Sequence, residues 1–243
     1  MVMKNIEQRC QEYMENTQNP WRIKSTHTIY INERNFLSNA FGTSNNILDA
    51  GGGTGFHLHT ALEDSHRKIT VLDGNDTLLN EGKTLFPDSR FVKGTCCDMP
   101  FSNEEFDGIL VRANLLYFSD KASYIKECYR VLKPNGVLVI IDRNRFDITN
   151  LVANFLKTKQ DPFELYSDFM TFTYLEKLLM KEGFTIQAKK GCMLTIPKIH
   201  SFFLNRLSQT TPRIPTRVIY SYAHTNFLKQ IARWMYLKAT KTT

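Results

Sequence analysis

Apolar residues fall along this chain in two alternating rhythms. Runs of strand length, "NILDA" (46–50), "ITVLD" (69–73), "RFVKG" (90–94), "FDGILVR" (106–112) and "GVLVIID" (136–142), are apolar with little interruption. Strands that do not alternate apolar with polar are covered on both faces, as in a parallel sheet. Between them come segments of helical period. "FHLHTAL" follows the first run, and "DKASYIKECYRVLK" gathers Ile125, Cys128, Tyr129 and Leu132 on one face. Pro134-Asn135-Gly136 stops that helix and starts the next strand. Strands alternating with helices predict right-handed βαβ units in a doubly wound α/β sheet. Further on, Thr173 and Glu176 read as a capping box ahead of "YLEKLLMKEGF", with Gly183 as the stop. "FTIQAKK" then reads as a strand, and "RWMYLKATK" (233–241) as the last one.

Length allows one sizeable α/β domain, or two small ones. The alternation above favours one, divided into an N-terminal cap (1–45), a core (46–142) and two insertions (143–172 and 195–232) beside strand ends, read as a lid. No apolar run approaches the roughly 18 residues of a membrane span. The opening "MVMKNIEQRCQEYMEN" is polar and mixed in charge, unlike a secretory signal. Five cysteines (Cys10, Cys96, Cys97, Cys128, Cys192) are an odd count without metal-ligand spacing, so reduced thiols, a cytoplasmic location and no metal are expected. The net charge of +7 is unevenly placed: after Glu182 there is no acidic residue, while ten Lys and Arg follow. In 195–232, Lys198, Arg206, Arg213, Arg217 and Lys229 alternate with Phe202, Phe203, Leu204, Tyr220 and Phe227. This region reads either as contact with an anionic or lipid-like partner or surface, or as a solvated basic face.

Chemistry concentrates at the end of the first strand. "ILDAGGGTGFH" places Asp49 directly before Gly51, Gly52, Gly53 and Gly55, a D-x-G-x-G-x-G pattern. A strand, a glycine turn and a helix let backbone approach a nucleotide-like ligand. The dinucleotide fingerprint G-x-G-x-x-G serves a pyrophosphate. A carboxylate before the glycines is unfavourable there and favourable beside an ammonium or sulfonium. Asp73 ends the second strand, where it can accept both ribose hydroxyls. Asp98, in "GTCCDMPF", can accept from an adenine amine, with Met99 packing on the ring. Together these describe an adenosine with a cationic, amino-acid-like tail.

In order and spacing, "ILDAGGGTG", "VLDGN", "CCDMPF", "FDGILVRANLLYF" and "ECYRVLKPNGVLVIID" resemble the class I S-adenosylmethionine-dependent methyltransferases, in the group that includes the ubiquinone and menaquinone C-methyltransferases. The resemblance is strongest over 46–142. It implies a Rossmann-like, seven-stranded sheet with an antiparallel last strand, which suits "RWMYLKATK". It also implies S-adenosyl-L-methionine as cofactor. Carried over by motif, Asp49, Ala50, Gly51 and Gly53 would hold the methionine end; Asp73, Gly74 and Asn75 the ribose; Asp98 and Met99 the adenine. Arg112, Ala113 and Asn114 would stand beside the methionine end. Arg112 departs from the small or polar residue expected there. It can meet the cofactor carboxylate, face the substrate, or form a salt bridge.

The implied reaction moves a methyl to a small-molecule or lipid-like acceptor by in-line displacement. An activated sulfonium methyl needs chiefly a positioned nucleophile, and a general base only where that nucleophile must lose a proton. His27, Tyr30, His200 and His224 lie in the lid segments and are the weak candidates for such a base. His57 and His59, two apart, point to different faces of a helix and make no metal pair. Three alternatives remain in view: an RNA methyltransferase, although no RNA-binding module is visible; a nicotinamide oxidoreductase, against which the glycine spacing argues; and a cofactor-binding regulator without turnover. "RANL" stands where an "NPPY"-type motif would serve methylation of an exocyclic or amide nitrogen.

Overall fold

The computed structural model of the chain describes residues 28–62, 66–146, 170–192 and 234–242. Its strands are β1 (Asn46–Ala50), β2 (Lys68–Asp73), β3 (Arg90–Lys93), β4 (Phe106–Arg112), β5 (Leu132–Arg143), β6 (Phe184–Cys192) and β7 (Trp234–Lys241). They form one sheet of order β3-β2-β1-β4-β5-β7-β6. β1 pairs in parallel with β2 and β4, β2 with β3, and β4 with β5; β7 runs antiparallel to both its neighbours. The described helices are α1 (Thr28–Phe41), α2 (Phe56–Ala61), α3 (Asp76–Leu85), α4 (Lys121–Val131) and α5 (Phe172–Lys181), with a 3-10 turn at Leu115–Tyr117. This is the Rossmann-like sheet with an antiparallel last strand. The strand order reverses between β1 and β4, and such a switch point opens a crevice at the carboxyl ends of the strands.

Both faces of the sheet are buried, which explains the continuous apolar runs. Leu48, Ile109, Leu138 and Ile140 face Tyr124, Ile125 and Cys128 of α4 and Leu175 and Leu179 of α5. Ile47, Val71, Leu110 and Val139 face Phe36, Leu37 and Phe41 of α1 and Leu58 of α2. Asp49, between Leu48 and Ala50 in β1, projects on the second of these faces, toward α1 and α2.

Two boundaries differ from the sequence reading. The fifth strand starts at Leu132, not Gly136. Its register against β4 shifts between Phe106↔Leu132 and Gly108↔Val137, and Asn135 takes a left-handed φ of 64°. The Pro-Asn-Gly stretch is therefore a bulge within the strand, and α4 ends at Val131. At α5 the cap is Thr171, not Thr173: Thr171 is extended, and its hydroxyl accepts from the Tyr174 amide at 3.1 Å. Phe172 is buried in the core, so the first turn begins there. Glu176 forms an ion pair with Lys189 on β6 instead of reaching back to a cap. Of the expected lid, only 143–146 and 170–172 are described; 195–232 and most of the N-terminal cap lie outside the described residues.

Candidate functional site

The turn after β1 is held against the end of β2. The Gly51 and Gly52 amides both donate to the Leu72 carbonyl, at 2.7 and 3.2 Å. The Gly53 amide donates to Asp73 Oδ2 at 2.9 Å, and Asp73 Oδ1 accepts from the Asn75 amide at 2.9 Å. Asp73 thus fixes the glycine turn, and each oxygen keeps a further lone pair for a ligand hydroxyl. Gly53, at φ 59°, would meet only the tip of Leu78 if it carried a Cβ, so its outer side is open. Gly51, at φ 67°, has a different reason to lack a side chain. A Cβ there would overlap the amide of Asn114.

Asn114 reaches that place because β4 ends in an abrupt turn. Ala113 donates to the Ile141 carbonyl at 2.8 Å and takes a φ of 52°, rare for a residue with a Cβ. The Asn114 Nδ2 then donates to the carbonyls of Ala50 and Gly51, the latter at 3.0 Å. Tyr124, fully buried on α4, places its hydroxyl 2.9 Å from the Ala50 carbonyl and 3.0 Å from Asn114 Oδ1. The sequence reading gave Asn114 a place beside the ligand. In the structure its side chain donates to the Ala50 and Gly51 carbonyls of the glycine turn, and Tyr124, its partner, was absent from that reading. Behind them, burial pushes the Asp142 carboxyl up to about 6, while backbone amides of Arg143, Leu116 and Leu115 pull it down. Its Oδ1 accepts from the Arg143 amide at 2.7 Å.

Asp49 is 3% exposed, and burial pushes its carboxyl up to about 7, with Arg112 pulling it down and Asp73 and Glu33 pushing it further up. Near it the Arg112 guanidinium forms a bidentate pair with Glu33 of α1, Nε to Oε1 at 2.5 Å and Nη2 to Oε2 at 3.0 Å. Of the three roles open to Arg112, the salt bridge is the one formed here. Burial disfavours its charge, and the Glu33 carboxylate outweighs that and raises its pKa. Trp234 of β7 lies under the guanidinium, with its ring centre 5.8 Å away. His57 Nδ1 stands 3.7 Å from Glu33 Oε1, and burial, then Arg112, hold the ring well below its usual pKa and so neutral. Glu33 was absent from the sequence reading: its partner is 79 positions away, and no local motif marks it.

The adenine-side candidates divide. Asp98 is exposed in the loop after β3, as is Gly74 after β2. The Asn75 side chain caps α3, accepting from the amides of Thr77 and Leu78 at 2.9 and 3.4 Å. Met99 is 3% exposed within the core, its amide held by Glu127 at 2.7 Å and its carbonyl by Arg130 at 2.9 Å. In this conformation its side chain packs inward. His59 bridges Gly55 O at 2.8 Å and Ser89 Oγ at 2.7 Å and stacks on Phe86. It stiffens the far side of the glycine turn and has no partner with His57. Of the candidate bases, His27, His200 and His224 and the side chain of Tyr30 lie outside the described residues.

Comparison with known proteins adds to this geometry. Residues 48–140 match the model of a family described as a methyltransferase domain. The chain is 32% identical over 136 residues to a demethylmenaquinone methyltransferase of Thermotoga maritima, covering 53% of this chain and 59% of that one. The chain spans between 51% and 63% of the length of the curated relatives it matches first. Among solved structures it is similar to a SAM-dependent methyltransferase from Thermotoga maritima, at TM-score 0.60 and 18% identity over 88% of this chain and 89% of that one. It is also similar to a geranyl diphosphate methyltransferase in complex with SAM, at TM-score 0.58 and 14% identity over 87% and 85%. At these identities the solved structures speak for the fold.

Proposed function

From a chain whose core belongs to the class I S-adenosylmethionine-dependent methyltransferases, we propose that it binds S-adenosyl-L-methionine and transfers its methyl group to a small or lipid-like acceptor. The observation that carries this is the geometry at the carboxyl ends of β1 and β2: Asp49 is buried just before a glycine turn whose Gly53 is open on its outer side, with its amide held by Asp73. The donor set suits the cofactor: Asp49 for the ammonium, the open backbone of Gly53 for the methionine chain, Asp73 for the ribose hydroxyls, and Asp98 with Gly74 toward the base. Ala50, Gly51, Ala113 and Asn114 shape that bed. When bound, the cofactor supplies an activated sulfonium methyl.

The chain's own work is then binding and orientation, which suffices for a nucleophile already electron-rich. Asp73 acts twice, through Gly53 on the turn and through its free lone pairs on the ligand. Among the described residues no helix is long and apolar enough to cross a membrane. The basic stretch 195–232 is kept in this proposal as the part that meets an apolar or anionic acceptor. The test is calorimetric titration with S-adenosylmethionine, S-adenosylhomocysteine and NADH, followed by transfer of a labelled methyl to demethylmenaquinone and to a lysate extract. Binding of the two sulfur compounds and labelled organic-soluble product are expected. Binding of NADH alone, or label recovered only in RNA, would overturn the reading.

A further inference from the structure

Three charged groups share the α1 side of the site: two buried carboxylates, Asp49 on β1 and Glu33 on α1, and the largely buried guanidinium of Arg112 on β4, which lies on the same sheet face as Asp49, two residues past its register partner Leu110. Asp73, on β2, adds a further negative charge acting on Asp49, and His57 is neutral. A guanidinium with five donors satisfies a carboxylate best through its fork. Here that fork closes on both Glu33 oxygens, at 2.5 and 3.0 Å, while Trp234 covers the cation from β7. Without Glu33, the buried cation would be left unpaired. Leaving a buried charge unpaired is costly, and the remedy within reach is the carboxylate of Asp49.

We propose that Glu33 is a positioning residue that keeps Arg112 off Asp49, leaving that carboxylate for the ammonium of the ligand's amino-acid end. It makes no contact with the ligand itself. The inference rests on the cofactor reading above and adds to it a reason for the N-terminal helix to be tied to the end of β4: the tie sets which carboxylate the ligand meets. It also assigns Arg112 to the protein's own charge balance and not to the cofactor carboxylate.

Two ligands separate this role from a merely structural one. S-adenosylhomocysteine carries the ammonium, and 5′-methylthioadenosine is the same nucleoside thioether without the amino acid. For Glu33→Gln, titration should show S-adenosylhomocysteine weakened about tenfold or more and methylthioadenosine changed by less than about twofold. Glu33→Gln/Arg112→Met, which removes both charges, should return the ratio of the two affinities to within about threefold of wild type. Equal weakening of both ligands in the single variant, an unchanged S-adenosylhomocysteine affinity, or a double variant that stays defective overturns the proposal. If circular dichroism shows the single variant unfolded, the double variant decides alone: a preserved ratio supports the proposal and a lost ratio overturns it. Wild-type protein that binds neither ligand brings down the cofactor reading together with this inference. Wild type that binds both, with variants that break the pattern, brings down this inference only.

Discussion

The proposed pairing of Asp49 with the ligand's ammonium couples binding to a proton. The Asp49 carboxyl ionises at about 7 in the free protein because burial opposes the charge. An ammonium placed against it favours the ionised form, so binding expels a proton wherever the free carboxyl still holds one. The ligand's own α-ammonium keeps its charge up to about pH 8. As pH rises from 5 through 7 the affinity for S-adenosylhomocysteine should therefore climb by about tenfold to a hundredfold in all, then level off. Calorimetry at pH 6 in two buffers of different ionisation enthalpy should count about half a proton or more released per ligand bound. Asp49→Asn removes the charge but keeps the shape. It should flatten the pH profile and weaken binding at pH 8 by about tenfold to a hundredfold. The stability effect runs the opposite way. A folded-state pKa above the unfolded value of 3.8 means that the proton stabilises the fold, and that contribution is lost as pH rises through 7. The ligand-free Asn variant should therefore melt higher than wild type at pH 8. A pH slope equally steep in Asp49→Asn, or no proton released at pH 6, refutes the reasoning.

Asn114→Ala removes the donor to the Ala50 and Gly51 carbonyls and opens space beside Gly51; a loss of about 1–3 kcal/mol is expected in urea unfolding, together with weaker cofactor binding. His59, held by burial at a pKa of about 4, must stay neutral in the fold, so stability should fall as pH drops from about 6.5 toward 4, and His59→Gln should reduce that loss in melting curves taken across the window.

Residues whose reasons are local were the ones readable from the chain. The five parallel strands follow from continuous apolar runs, because burial on both faces removes the need for alternation. The Asp49 carboxylate and the glycines after it declare a turn at a strand end by composition alone. Asp73 is legible because it ends the neighbouring strand, although its bonds to Gly53 and Asn75 are not. Glu33 was hidden, since nothing in "INERNFL" separates a glutamate facing water from one closing on a distant arginine. The hydrogen bonds of Asn114 to the glycine turn were not legible, because they depend on the left-handed Ala113, a conformation that sequence does not favour. Thr171 lost to Thr173 in the sequence reading because the capping-box pattern competes with a cap set by the burial of Phe172.

The position of β7 between β5 and β6 sets an order of events for a chain made from its N-terminal end. When Phe184–Cys192 emerges, its one sheet neighbour among the described residues, Trp234–Lys241, has not yet been made. β6 must wait, with its backbone donors and acceptors unsatisfied, until a distant stretch slots in on the inner side. Such late, long-range closure is slow, and the waiting strand is open to pairing with other chains. Nor can the stretch 234–241 be trimmed like an outer strand. Its loss would strip β5 of a neighbour, part β6 from the sheet and take Trp234 from beneath Arg112, so a fusion or truncation near Trp234 would reach from one wing of the molecule to the edge of the glycine-turn site.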